Sequence, residues 1–234
     1  MLNPDLDPAR LAQDFKLQGR LQIADIFTAK AAAETYRCLA NDVPWNFACR
    51  LDGRDQLYSP EQLAAMPPAE RLQMGQRILE QARAEFAFGF MSFPMVENYR
   101  SRRVSNLFLD TVLEALAHPA FIEFARQVTG DNTINKVDAQ ATRYTAGHFL
   151  NLHDDAEYDG AERRAAYVLN FSKDWRAEWG GLLQFLDGGG KVIDSYMPRF
   201  NSLSLFAVPT PHVVSYVVPF AGAPRLSITG WFTV

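Results

Sequence analysis

A chain of 234 residues that is 48% hydrophobic and 21% charged has enough apolar material for one sizeable core. Its net charge of -4 points away from nucleic acid as a partner, and two cysteines, Cys38 and Cys49, supply no disulfide framework, so a reducing, cytoplasmic setting is expected. No apolar run is long enough for a membrane span, and the acidic start Asn3-Pro4-Asp5-Leu6-Asp7-Pro8 is unlike a signal peptide, so no membrane partner is expected either.

Taken in order, the first residues read as frayed. Phe15, Leu17, Leu21 and Ile23 then fall on odd positions around Gly19, which predicts an edge strand. Asp25 is placed to cap a helix running to about Leu39, with Ile26, Ala33, Tyr36 and Cys38 on its buried side. Residues 41–58 carry Pro44, Trp45, Phe47 and an Asp52-Gly53 turn signal but no period, and read as a connecting loop or a lid. Ser59-Pro60-Glu61-Gln62 starts a helix, with a capping serine, proline in the first turn and glutamine three residues on. A second start at Pro67-Pro68-Ala69-Glu70 leads into Leu72, Ile78, Leu79, Ala82 and Phe86 at roughly helical spacing. Residues 88–101 are aromatic and irregular. Two more helices are expected over 104–117 and 119–128, the second ending at Gly130, with His118 as a boundary residue between them.

From Val137 the pattern changes to strands. Residues 137–144 alternate, Gly147 interrupts, and 149–153 resume. The nearly all-apolar run 165–171 suits a strand buried on both faces. Segments 182–186, 191–196, 202–208, 212–218 and 225–232 complete the set, with a hairpin signal at Asp187-Gly188-Gly189-Gly190. About eight strands in under a hundred residues suit a jelly roll or barrel. Helices first and strands after imply a single α+β domain over 1–234, with 1–134 as mainly helical support and 135–234 as the jelly-roll core.

Leu152-His153-Asp154-Asp155 carries the chemistry. In extended geometry His153 and Asp155 share one face and Asp154 points to the other. One imidazole and one carboxylate make two thirds of a 2-His-1-carboxylate site, and His212 is the sole histidine further along the chain. A lone His-x-Asp is common on surface strands, so the assignment depends on its surroundings. His148 is a competing imidazole at opposite parity, better placed to line the mouth of a cavity than to bind metal. Arg225 and Ser227 share a face on the last strand. An inward arginine in a small barrel needs an anion, and its fork suits a carboxylate, with a serine hydroxyl as a further donor; a structural salt bridge is the plain alternative. Tyr144 and Tyr167 are either core tyrosines or donors to the same anion.

His153-x-Asp155, Trp179-Gly180-Gly181, His212 and Arg225-Leu226-Ser227-Ile228-Thr229-Gly230-Trp231-Phe232 together resemble the iron- and 2-oxoglutarate-dependent oxygenases. The resemblance spans about 135–234 and is nearest to the prolyl-hydroxylase-like branch, which includes ribosomal-protein and bacterial prolyl hydroxylases. The ribosomal enzymes carry a second barrel that a chain this short lacks, and the bacterial single-domain enzymes are nearer in size. The resemblance implies a double-stranded β-helix buttressed by N-terminal helices. It implies Fe(II) on His153, Asp155 and His212, and 2-oxoglutarate as small-molecule co-substrate with its distal carboxylate on Arg225. Tyr144 and Tyr167 would place hydroxyls on that co-substrate, Ser227 is a further donor, and ascorbate would be an accessory reductant. The activity implied is hydroxylation of a C–H bond, with a prolyl residue of a protein or peptide as the expected target. A free amino acid or small metabolite is the alternative substrate. Two rivals also accommodate the triad: a zinc hydrolase, which leaves Arg225 and the tyrosines without a purpose, and a non-catalytic binding barrel. A halogenase is disfavoured, because Asp155 fills the position that such enzymes leave open.

Overall fold

The computed structural model describes residues 1–156, 160 and 162–234. In chain order its first part holds α1 (Pro8–Gln18), β1 (Arg20–Ala24), α2 (Ala29–Asn41), β2 (Asn46–Leu51), β3 (Arg54–Tyr58), α3 (Pro60–Ala65), α4 (Pro68–Gln81), β4 (Phe88–Phe93), α5 (Met95–Ser101), α6 (Phe108–Ala117) and α7 (Pro119–Thr129). Strands follow: β5 (Lys136–Val137), β6 (Gln140–Tyr144), β7 (Phe149–His153), β8 (Arg163–Asn170), β9 (Leu183–Leu186), β10 (Val192–Tyr196), β11 (Ser202–Ala207), β12 (His212–Val214) and β13 (Arg225–Thr233).

The strands pair in the order β1-β11-β8-β13-β6-β4-β7-β12-β9-β10, every neighbour antiparallel. β8 sits between β11 and β13, so its sequence is apolar on both faces. Alternation sorts its side chains. Ala165, Tyr167 and Leu169 join Leu203, Leu205, Ile228 and Phe232 in the main core, where α7 contributes Phe121 and Phe124. Ala166 and Val168 face the other way and meet Leu183, Phe185 and Phe206 across the interior of the roll. The architecture is thus a double-stranded β-helix with helices packed on one wall, in an α+β chain.

The N-terminal half contributes more than helical support. β1 extends the sheet beside β11, and β4 is inserted between β6 and β7. The aromatic stretch 88–101 is therefore a strand and a helix. Its strand shows no period because one face carries Phe88 and Phe90 and the other Met91 and Phe93, with apolar neighbours on both sides. Residues 41–58 form the β2–β3 hairpin, joined by Asp52 and Gly53, both at positive φ as a tight two-residue turn requires. Trp45 is buried in the main core, and the half-buried Phe47 packs against Cys49, Ile78 and Phe149.

Four local expectations are corrected. Phe15 and Leu17 lie in α1, because Asp7 caps its first turn, Pro8 opens it, and Gly19 ends it at φ 66; only Leu21 and Ile23 belong to the strand. The first residues are tied down by a bridge between Leu2 and Phe27. α2 starts after Thr28 rather than at Asp25, which sits at φ 50, and Ala33 faces solvent. Only Ile78 of α4 is buried, while Leu72 and Leu79 are exposed. The Ser59 capping box, the His118 junction and the Gly130 terminus form as expected.

Candidate active site

β12 runs between β7 and β9, and its first residue, His212, lies opposite both His153 and Phe185. This register sets the two imidazoles side by side at the end of the roll, with ring centroids 4.1 Å apart. Each ring is aimed by its own strand. His153 Nδ1 lies 2.8 Å from Asn151 O, and His212 Nδ1 lies 2.7 Å from Thr210 O. A carbonyl can only accept, so Nδ1 carries the proton in both rings and each Nε2 presents a lone pair. Both lone pairs face Asp155: His153 Nε2 is 3.5 Å from Oδ1 and His212 Nε2 is 3.5 Å from Oδ2. One donor atom from each of the three residues lies within 4.8 Å of the other two. Burial, and then the neighbouring His153, hold the His212 imidazole well below its ordinary pKa, which favours the neutral, ligating form.

Asp155 reaches this position by a route that strand alternation does not describe. β7 ends at His153, and Asp155 adopts a left-handed backbone with φ 59. Asp154 is exposed; its carboxylate accepts from Ala156 N and its carbonyl from Thr210 N. Arg163 donates to Asp155 O at 3.4 Å, with its guanidinium 3.8 Å over the Trp231 ring.

The triad opens into a cavity of about 710 Å³ between the two walls of the roll. Arg225 lines it, buried to 2% exposure. Its Nε has no hydrogen-bond partner and its guanidinium no carboxylate among the described residues. It lies 5.0 Å over the Tyr144 ring, which stacks on Phe90. Gly181 makes room for it: a Cβ there would come within 3.2 Å of Arg225 Cδ, and φ is 63. Burial pushes the Tyr144 phenol up, and the Arg225 charge partly offsets this. Phe86, Phe88 and Leu150 form apolar wall, and Asp55, Gln56 and Leu57 bring the β2–β3 hairpin to the same cavity.

Tyr167 and Ser227 are placed differently from expectation. Tyr167 borders the cavity, but its ring packs on Phe232 in the helix-facing core, and its hydroxyl donates to Asp138 O at 2.7 Å. It sits over Gly230, where a Cβ would come within 3.0 Å of the hydroxyl. Ser227 shares the face of Arg225, yet its hydroxyl lies 3.5 Å from Asn170 Oδ1 and the residue is not part of the cavity wall. His148 is likewise outside that wall. Its Nδ1 accepts from Thr145 N, and burial lowers its pKa to about 4. Sequence reasoning missed Arg163, Trp231 and Thr142. Only Thr142 left a signal, at the same parity as Tyr144.

Two anchored imidazoles and a carboxylate converging on one point suit a divalent metal, and three protein ligands leave positions for exogenous ones. A buried cation in the same cavity, without an acid partner among the described residues, suits a carboxylate-bearing small molecule. Both requirements of an iron- and 2-oxoglutarate-using site are thus met by residues present.

Residues 139–233 match the family model described as the 2OG-Fe(II) oxygenase superfamily. The chain is 33% identical over 150 residues to prolyl 3-hydroxylase OGFOD1 of Xenopus laevis, covering 60% of this chain and 27% of that protein. It is 30% identical over 112 residues to the Drosophila melanogaster prolyl 3-hydroxylase sudestada1, covering 42% and 20%. The chain thus spans about a quarter of the length of the curated relatives it matches. Its fold is that of a Pseudomonas putida prolyl-4-hydroxylase, with TM-score 0.60 at 19% identity over 97% of this chain and 98% of that one. A prolyl hydroxylase from Trichoplax adhaerens, solved with a hypoxia inducible factor peptide fragment, superposes with TM-score 0.61 at 15% identity over 97% and 90%. Over residues 139–233 the chain is thus similar to the 2OG-Fe(II) oxygenase superfamily. The two curated relatives bear the name prolyl 3-hydroxylase.

Proposed function

We propose that this chain is an Fe(II)- and 2-oxoglutarate-dependent dioxygenase that hydroxylates a prolyl residue in a protein or peptide, working as one oxygenase domain over 1–234. The observation that carries the reading is the shared cavity: an unpaired, fully buried arginine and a His-Asp-His cluster line the same space. In this reading His153, Asp155 and His212 hold iron, and Arg225 receives the distal carboxylate of 2-oxoglutarate. Tyr144 supports the guanidinium from below. Tyr167 and Ser227 stay outside the set, since their hydroxyls are engaged by Asp138 and Asn170. When bound, iron with 2-oxoglutarate and dioxygen supplies the oxidation, yielding succinate, carbon dioxide and a hydroxylated carbon. The chain's part is to ligate, to orient the co-substrate between Arg225 and the triad, and to exclude water with Phe86, Phe88 and Leu150.

The prolyl target is supported by the names of the curated relatives, all prolyl 3-hydroxylases, of which the chain spans about a quarter. Ascorbate as accessory reductant rests on the family resemblance alone. Two free, buried cysteines and the lack of any helix long and apolar enough to cross a membrane among the described residues agree with a cytoplasmic setting. The test is mass spectrometry of peptides and proteins incubated with enzyme, Fe(II), 2-oxoglutarate and labelled oxygen. One labelled oxygen on proline, with stoichiometric succinate, is the expected result. Oxidation of a free metabolite with no proline product from any peptide would overturn the prolyl assignment and leave the oxygenase class standing.

A further inference from the structure

Gln140 opens β6 and Ser92 lies on β4, and both side chains line the cavity. The β4–β6 register sets Ser92 opposite Thr142, so Gln140 is its diagonal neighbour on the inner face. Ser92 is buried, and its hydroxyl donates to Gln140 Oε1 at 3.0 Å. That bond fixes the carboxamide. With Oε1 engaged, the half-buried amide presents Nε2, whose two N–H groups have no partner among the described residues. On β13, Thr229 lies opposite Gln140, and Trp231 follows on the same face with a buried, unpaired Nε1. The Trp231 ring lies under the Arg163 guanidinium that reaches Asp155 O, so this is the triad end of the wall. It is four residues along the strand from the Arg225–Tyr144 pair, or about 13 Å. Gln140 Nε2 and Trp231 Nε1 can only donate.

We propose that Gln140 is a specificity-determining residue whose Nε2 donates to the backbone carbonyl of the residue before the target proline, with Ser92 as the positioning residue that aims it. The inference rests on the prolyl reading of this cavity. The link between a residue and a following proline is a tertiary amide, with an acceptor and no N–H. Every other peptide link carries an N–H as well. Phe86, Phe88 and Leu150 give such a group no acceptor, and a buried donor left unpaired there would weaken binding. Donors on β6 and β13 beside an apolar lining therefore suit the link that proline makes better than one made by any other residue.

The test is equilibrium binding, by fluorescence anisotropy, to the protein loaded with Mn(II) and 2-oxoglutarate, which reads affinity without turnover. The probes are short blocked peptides with one central proline and varied flanks. The tightest binder is remade with a thioamide in place of the carbonyl before proline, a weaker acceptor of nearly the same shape. Wild type is expected to bind the thioamide about fivefold more weakly than the parent peptide. Gln140→Met drops both N–H groups, and is expected to bind the parent about fivefold more weakly and the thioamide equally to the parent. Gln140→Glu keeps the bond from Ser92 and loses the donors, and should show the same missing thioamide penalty. Ser92→Ala, which frees the carboxamide to turn, should show a reduced one. Mn(II) and 2-oxoglutarate affinities should match wild type in each variant. An equal thioamide penalty in wild type, Gln140→Met and Gln140→Glu overturns the inference and leaves the prolyl reading intact. Loss of Mn(II) or 2-oxoglutarate affinity in both Gln140 variants makes the residue structural and overturns the inference as well. Absence of binding of every proline peptide to wild type overturns the reading and the inference with it.

Discussion

Arg225→Met separates a functional arginine from a structural one. Methionine fills a comparable volume and removes the charge. In a structural ion pair, loss of one partner strands the other and costs several kcal/mol. Arg225 strands nothing, because it has no acid partner among the described residues and an unpaired Nε. Its main compensation is the Tyr144 ring 5.0 Å below it, worth about 1–2 kcal/mol. Burial lowers its pKa, which marks the charge as a cost to the unliganded fold. The unliganded variant should therefore unfold at the wild-type temperature or above. Binding should change in the opposite sense. Removing one side of a buried, hydrogen-bonded charge pair costs about 2–5 kcal/mol, or roughly 30-fold to several thousandfold in affinity for 2-oxoglutarate. At a 2-oxoglutarate concentration near 100 times its Kd, the metal-loaded wild type gains about 2.7 kcal/mol of stability by mass action. For a chain of this size that is a rise of roughly 5–10 °C in Tm. Differential scanning calorimetry with and without 2-oxoglutarate reads both effects. Arg225→Lys should recover part of the shift, since it restores the charge without the planar fork. A full ligand-induced shift in Arg225→Met, or a large fall in its unliganded Tm, would refute the assignment.

Two further outcomes follow from the site's surroundings. Asp155→Ala should lose divalent metal in an anaerobic Fe(II) or Mn(II) titration, whereas Asp154→Ala should retain it and forfeit only the turn bond to Ala156, about 0.5–1.5 kcal/mol in chemical denaturation; metal loss in Asp154→Ala alone would contradict the geometry. His148 has a pKa of about 4 in the fold because burial disfavours its charged form, so below pH 6.5 the unfolded chain takes up a proton that the native one does not. Its share of stability is complete above about pH 6.5 and is lost as pH falls toward 4, by about 2–3 kcal/mol at most. His148→Asn keeps an acceptor for Thr145 N and should flatten that acid limb in urea titrations at stepped pH; an unchanged limb would show that His148 is not its source.

The β half of the fold was legible because its strands are either strictly alternating or apolar throughout, and both patterns follow from where a strand sits in a sheet. Residues 149–153 and the 165–171 run read correctly for that reason. The N-terminal half was harder. β2 and β4 lie where the sheet is covered on both sides, so their aromatic residues show no period, and only the Asp52-Gly53 turn betrayed the hairpin. α1 was lost because Phe15, Leu17, Leu21 and Ile23 form an alternating series by accident across Gly19, while the stronger local signals, Asp7-Pro8 before and Gly19 after, mark a helix.

The site shows where parity arguments succeed and where they stop. Parity put Arg225 and Ser227 on one face of the last strand, and the register sets Arg225 opposite Tyr144, both lining the cavity, while Ser227 does not. For Tyr167 the resemblance pointed inward, but the residue falls between Ala166 and Val168, whose interior packing forces its ring toward the helices. Asp155 is the most instructive position. Alternation set its carboxylate beside His153, and it is there, but the strand has ended and a left-handed residue makes the turn. A non-glycine residue at φ 59 is held by its surroundings: Thr210 N on the carbonyl before it, Arg163 on its own carbonyl, and the Asp154 carboxylate on Ala156 N. None of these partners is visible in a three-residue motif. The motif therefore identifies the ligands, while their aim depends on Thr210 from the β11–β12 connection and Arg163 from the start of β8. Thr210 acts through its main chain, so the testable position is Arg163: Arg163→Met should weaken Mn(II) binding in a titration without removing a ligand, and wild-type affinity would refute its part in aiming Asp155.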